Sequence, residues 1–220
     1  MPTPSAIMRK LLTDILCVAF VVCLVACSEE DDDAGGYIPP YITDFLVAST
    51  DADGKVVSVR LDDGTTYNVA SQKVDLERKD TLLRCMATYT QEKGKDFKLC
   101  SIQSVYSNKP RKATSLYVLI DGKLYQNVSL LPREPMKVIS MWKSGGYLNL
   151  HLGLMTTDQG VHQYVFCEDS VGHYSLLHLR PAYDGTAYTE HVYLSMPIPE
   201  GLDHFTFTVR TYDGDYTREF

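Results

Sequence analysis

The sequence predicts an all-β chain with two parts, a small closed barrel followed by an antiparallel β-sandwich, and three observations carry that prediction. Short runs rich in Val, Ile, Thr, Tyr and Phe recur from residue 41 onward, the composition that suits pleated, half-buried strands. Five Asp-Gly pairs punctuate them, at Asp53-Gly54, Asp63-Gly64, Asp121-Gly122, Asp184-Gly185 and Asp213-Gly214. Glycine takes up the positive φ that tight reversals require, so each pair marks a turn. Apolar residues at helical spacing do not extend far enough anywhere in this region to make a helix of useful length.

The chain opens on an address. Arg9 and Lys10 precede twelve uninterrupted apolar residues, 15–26, and then Cys27, the layout of a signal peptide. Twelve residues make a helix of about 18 Å against a hydrocarbon core of roughly 30 Å, so a permanent span is not expected. The segment ends in Leu24-Val25-Ala26-Cys27, which resembles the bacterial lipobox. That resemblance implies a lipoprotein signal over residues 1–27, a lipidated Cys27 and a membrane partner reached through the lipid anchor, with ordinary secretory cleavage as the alternative. Residues 29–33 are all acidic; five like charges in a row stay solvated, which makes residues 28–40 a disordered tether. An acidic run directly after the cysteine also resembles the export signal of surface lipoproteins in Bacteroidetes. The expected location is therefore the outer membrane at the cell surface, with its periplasmic face as the alternative.

The barrel is expected over residues 41–110, with strands at 42–49, 55–61, 65–70, 81–90 and 96–106. Five strands in about 65 residues is the size of a small closed barrel, which buries what open edges would expose. Alternation in the second strand places Val57, Val59 and Leu61 on one face. A polar, proline-bearing stretch at 107–112 has the composition of a short linker. The sandwich follows over 111–220, with strands at 116–120, 123–128, 136–142, 147–155, 161–167, 173–179, 188–196 and 204–211. The hairpin 138–155 turns at Ser144-Gly145-Gly146 and carries the only tryptophan, Trp142, expected to anchor the sandwich core.

Charge and cysteines narrow the function classes. A net charge of −7, from 21 Lys and Arg against 28 Asp and Glu, excludes a whole-molecule nucleic-acid binder, whose affinity depends on neutralising phosphates. The charge is uneven: residues 41–112 carry twelve basic against ten acidic side chains, and residues 113–220 seven against twelve. The basic stretch reads either as an anionic-ligand face or as ordinary solvated strand positions complementing the acidic half. Once Cys17, Cys23 and Cys27 are accounted for by the signal and the lipid, three cysteines remain. Folding the hairpin about residue 93 sets Cys85 opposite position 101, close enough to Cys100 for a cross-strand bridge, against the alternative of buried free thiols. Cys167 reads as packing.

Motifs for catalysis are missing. The six histidines, at 151, 162, 173, 178, 191 and 204, lack metal-ligand spacing and read as surface or interface residues, so no metal and no cofactor is expected. No nucleophile elbow, zincin motif or phosphate-cradling glycine loop occurs, and a non-enzymatic role follows. Fifteen tyrosines are the enrichment that points to recognition, since an amphipathic ring stacks on a sugar face while its hydroxyl hydrogen-bonds. In the first half the candidates are Tyr67, Tyr89 and Tyr106, beside Arg84 and Lys98; each also suits a plain strand. Asp80-Thr81-Leu82 and Asp169-Ser170-Val171 resemble the short O-glycosylation sequon of Bacteroidetes, which would place sugar on Thr81 and Ser170.

A lipobox with an acidic tail, a barrel-sized segment, a linker and a sandwich containing Met141-Trp142-Lys143-Ser144-Gly145-Gly146-Tyr147-Leu148-Asn149-Leu150 together resemble the NigD-like lipoproteins of Bacteroidetes. The resemblance implies an OB-like five-strand barrel followed by the β-sandwich, and a bacteriocin-associated operon context. It implies no activity and no catalytic residue. The expected function is a monomeric, membrane-anchored binding or accessory module of the envelope whose partner is a glycan or an envelope protein. A bacteriocin-associated structural or immunity-type factor is the alternative, and a glycan-processing accessory enzyme the third.

Overall fold

Reversals at Asp-Gly pairs close the barrel. The computed structural model describes residues 41–72, 76–91, 97–120, 123–125, 131, 133–157, 162–179 and 188–220. Strands β1 (Ile42–Thr50), β2 (Val56–Leu61), β3 (Thr66–Gln72), β4 (Leu82–Thr90) and β5 (Phe97–Ser104) form a closed barrel in the order β1-β2-β3-β5-β4. Neighbours run antiparallel except β3 and β5, which are parallel. The signal, Cys27, the acidic tether and the pairs Asp121-Gly122 and Asp184-Gly185 lie outside the described residues. At the first turn, the Asp51 carboxylate accepts hydrogen bonds from the backbone N–H groups of Asp53 and Lys55, and Gly54 takes φ +87°.

The barrel interior is filled by Leu46, Ala48, Val59, Cys85, Ala87, Tyr89, Phe97 and Leu99 with their neighbours. Strand β2 departs from the expected alternation. Val56 and Val59 are buried while Val57 is 43% exposed. The pairing of β1 with β2 shifts between Ser49 and Thr50, where Ser49 faces Ser58 but Thr50 faces Val56. Val57 is thus the extra residue of a bulge, and a bulge reverses the inside-outside pattern beyond it.

The same kind of irregularity decides the cysteines. The β4–β5 ladder pairs Thr90 with Lys98, and a one-residue shift between Thr88 and Tyr89 then sets Cys85 opposite Ser104 rather than 101; Cys85, Cys100 and Cys167 are all free thiols. Burial pushes the Cys85 thiol up to about 12, against the opposing pull of Arg84, and the Cys167 thiol up to about 11. Since the thiolate is the reacting species, an alkylating agent should label half-buried Cys100 first. Cys85 and Cys167 should react only on unfolding, which mass spectrometry of partially labelled protein reads directly; early labelling of Cys85 would contradict the structure.

Beyond the barrel, β9 (Lys137–Ser144), β10 (Tyr147–Thr156) and β13 (Tyr188–Pro197) make a three-stranded sheet in the order β13-β10-β9. A five-stranded sheet packs against it. Its strands β6 (Arg111–Lys112), β11 (Gln163–Ser170), β12 (His173–Leu179), β14 (Thr206–Thr211) and β15 (Gly214–Glu219) are ordered β15-β14-β12-β11-β6. Two short strands, β7 (Val118–Ile120) and β8 (Lys123–Tyr125), pair with each other. Leu148, Leu150, Leu152 and Leu154 of β10 face Phe166, Leu176, Phe207 and Val209 across the core. Strand β12 is buried along nearly its whole length. Its opposite face is covered by Leu116, Val118 and Leu131, so both faces of the strand are buried, Ser175 and His178 included, and the inside-outside alternation of a half-exposed strand is lost.

Four sandwich expectations need correction. Arg111 and Lys112, the end of the expected linker, pair in parallel with Cys167 and Glu168 of β11. β12 and β14 are also parallel, so the sandwich is not purely antiparallel. β15 is a strand the reading stopped short of, although the turn at Asp213-Gly214 announces it. Trp142 is not in the core: its side of β9 points away from the Leu150 layer, and its ring meets Phe45 of the barrel edge-on, centroids 5.5 Å apart.

Candidate functional site

The outer face of the three-stranded sheet is polar where the inner face is leucine. Trp142, Asn149 and Ser195 sit side by side across β9, β10 and β13, and this row meets the barrel. On the barrel side, Phe45 faces Met86 and Val47 faces Arg84 along the β1–β4 ladder. Residues 39–220 form one compact unit, and a buried ion pair joins its two halves. The Arg84 guanidinium donates to both Asp62 carboxylate oxygens at 2.5 and 2.8 Å. It also donates to Asn149 Oδ1 at 3.1 Å and to Ser195 Oγ at 3.4 Å. Ser144 Oγ donates to Asp62 Oδ2 at 2.5 Å, while Asn149 Nδ2 donates to Ser144 Oγ and Ser195 Oγ donates to Asn149 Oδ1.

Arg84 lies over the Tyr147 ring at 4.2 Å, and its side chain is 1% exposed against 21% for Asp62. Removing two charges from water costs several kcal/mol per ion, which a bidentate pair with its remaining donors satisfied offsets. Burial pushes the Asp62 carboxyl up, but hydrogen bonds from Arg84 and Ser144 and the charges of Arg84 and Arg60 outweigh it, leaving the carboxyl below the usual range.

Clefts flank this clamp. On the Phe45 side is a crevice of about 530 Å³, walled by Phe45, Trp142 and Tyr193 and rimmed by Asp44, Asp62 and Asp63. Phe45 and Tyr193 meet edge to face at 5.9 Å, and Tyr193 stacks on His151 at 4.4 Å. Aromatic walls with carboxylate acceptors suit a ligand that offers both an apolar face and hydrogen-bond donors. On the Val47 side is a cleft of about 450 Å³ lined by Arg60, Arg78, Lys109 and Tyr147. A further cleft of about 580 Å³ runs along the sandwich edge between β9 and β15, where Arg218 Nη1 donates to the Met141 carbonyl at 2.8 Å.

The five tyrosine and basic candidates do not share one face. Half-buried Tyr67 and buried Tyr89 both stack on Phe97, at 5.5 and 4.4 Å, and Tyr89, only 2% exposed, has no ring face left for a ligand. Its hydroxyl donates to Asp44; burial first, then that carboxylate, raises the phenol and keeps it protonated. Tyr106 sews the barrel to the sandwich: its hydroxyl donates to the Tyr164 carbonyl and its own carbonyl accepts from the Ser195 N–H. Arg84 is the clamp, and Lys98 is solvent-exposed on β5. Ser170 is exposed at the end of β11, while half-buried Thr81 accepts from the Thr50 N–H through its carbonyl.

Four of the six histidines group in pairs, His151 with His191 at 3.0 Å and His162 with His178 at 2.8 Å; His178 is buried rather than superficial. Among the described residues no group of three or more His, Cys, Asp or Glu is arranged to hold a metal. Asp62, Asn149 and Ser195 escaped the reading. Asn149, a lone amide between two leucines of an apolar strand, is the signal that was there to find.

With barrel, clamp and sandwich in place, the fold can be matched to solved ones. The chain shares its fold with a NigD-like immunity protein. That protein, from Bacteroides caccae, is 24% identical and superposes with a TM-score of 0.60 over 84% of this chain and 94% of its own. A putative toxin-related protein from Parabacteroides distasonis matches at 15% identity and TM-score 0.62, over 82% of this chain and 92% of its own. A DUF1344 protein of unknown function from Bacteroides vulgatus matches at 16% and 0.61, over 82% and 90%. No family model matches the sequence, and no curated protein matches it. The NigD-like resemblance read from the residues therefore holds at the level of the fold.

Proposed function

We propose that this chain is a non-enzymatic binding module of the cell envelope, tethered through lipidated Cys27 at the outer membrane surface, and that its ligand is a glycan held in the aromatic crevice between barrel and sandwich. The observation that carries the reading is that crevice: three aromatic rings from both halves around three carboxylates. A pyranose offers apolar C–H faces to rings and hydroxyl donors to carboxylates, and each aromatic contact adds about 0.5–1.5 kcal/mol beyond buried area.

The chain supplies its own reporter, because Trp142 is its only tryptophan and lines the crevice. Titration with envelope glycan fractions should shift or quench the tryptophan emission, and Tyr193→Ala should weaken the response about tenfold, the loss of one stacked ring. An emission unchanged by every fraction, with binding detected elsewhere, would remove the crevice as the site.

The anchor has its own test. Cys27→Ala should abolish labelling by a palmitate analogue and release the chain from membranes, since an acyl chain contributes about 0.8 kcal/mol per buried CH₂. Protease shaving of intact cells separates the surface from the periplasmic face.

A second reading, a bacteriocin-associated immunity-type factor, is favoured by two structural neighbours, an immunity protein and a putative toxin-related protein. In that case the crevice takes a protein side chain instead of a sugar. Deleting the gene would then change bacteriocin sensitivity while glycan fractions leave Trp142 emission untouched.

A further inference from the structure

The geometry points to a second site, independent of the glycan reading: the cleft on the Val47 side of the clamp binds a phosphate-bearing group. Arg60 from β2, Arg78 from the segment before β4 and Lys109 from the segment after β5 come from three separate stretches of chain and converge on one cleft of about 450 Å³. No carboxylate lines it among the described residues. Among the described residues none of the three makes an ion pair. Asp62, which the Arg60 charge also reaches, is held by hydrogen bonds from Arg84 and Ser144.

Three exposed cations meet in this cleft with no acid among its lining residues, and a bound anion relieves their mutual repulsion. Arginine forks match phosphate oxygens bidentately, and a lysine adds a mobile third donor. Tyr147 and Pro197 supply an apolar wall, and the volume exceeds what an inorganic phosphate fills. The ligand class is therefore a phosphate monoester or diester carrying a small polar body, either a phosphorylated solute or a phospholipid headgroup.

The test uses the full-length chain in a neutral detergent, titrated calorimetrically with glycerol 1-phosphate and with glycerol as the uncharged control. Binding of the phosphate ester alone is expected. Each of Arg60→Gln, Arg78→Gln and Lys109→Gln should weaken it by about tenfold, the worth of one charge-assisted contact, and added salt should weaken it further. Because all three side chains are exposed, the variants should melt with the parent, and their Trp142 emission response should be unchanged.

Hydrogen exchange of the chain in a phosphate-free neutral detergent, with phosphatidylglycerol or with glycerol 1-phosphate added, separates the sources. Protection of residues 104–109 by phosphatidylglycerol alone assigns the headgroup, and protection by glycerol 1-phosphate alone assigns a soluble ester. Binding of glycerol equal to that of its phosphate, or a triple variant that binds like the parent, overturns the proposal.

Discussion

Asp62→Ala should destabilise the folded chain by about 3–5 kcal/mol, the cost of leaving a buried cation without its partner. Arg84 is 1% exposed and keeps only Asn149 and Ser195 as acceptors once the carboxylate is gone. Denaturant unfolding measures the loss. The double variant Asp62→Ala, Arg84→Met should recover most of it, because an apolar pair of similar volume avoids the desolvation cost altogether. A double variant as unstable as the single one would mean that the clamp holds the two halves by shape and not by charge.

The same residue sets an acid limb. Because the folded-state Asp62 carboxyl lies below its ordinary range, its contribution is fully present above the unfolded aspartate range and is lost as pH falls through the lower folded value. The parent should therefore lose stability toward low pH more steeply than Asp62→Ala. Parallel acid limbs for the two proteins would remove Asp62 as the source.

Gly145→Ala is the second large effect, and Gly146→Ala is its control. Both glycines sit at positive φ, +58° and +82°, where a side chain costs about 1–2 kcal/mol. They differ in their surroundings. A Cβ on Gly145 would stand 2.2 Å from Asp62 Oδ1 and 2.5 Å from its Cγ, whereas nothing lies within 4 Å of Gly146. The Asp62 carboxylate cannot swing aside without releasing Arg84 and Ser144. Gly145→Ala should therefore cost about 3–5 kcal/mol, the backbone strain plus much of the ion pair, against roughly 1–2 for Gly146→Ala. In an Asp62→Ala background the difference should shrink to the 3.0 Å contact that remains with the Cβ of residue 62, a non-additivity that a double-mutant cycle measures. Equal costs in the parent background would show that the carboxylate yields freely.

The turn Ser144-Gly145-Gly146 was legible as a hairpin because Gly-Gly between apolar-alternating runs has little else to be. Why the first glycine is needed was not legible, since its reason is a carboxylate 83 positions earlier in the chain. Trp142 was misplaced for a similar cause. A large aromatic in an alternating strand belongs to one face or the other, and only the docked barrel makes the outer face a buried one. Tyr89 suits a ligand face and a plain strand equally, since strand propensity and recognition use the same rings, and the closing of the barrel around Phe97 decided for the strand.

What the sequence determined by itself is the part that depends on neighbours along the chain: all-strand character, reversals where Asp-Gly supplies positive φ, and a barrel-sized first half followed by a sandwich. Tertiary structure alone decided the bulges at Val57 and Cys100, the parallel pairings of β6 and β14, and the convergence of Arg84, Asp62 and Asn149. Period-two alternation records which residues share a face, but a single bulge reverses it, and nothing local reports what that face will meet. The candidate site is built from such meetings, so it became visible only when the two halves were placed together.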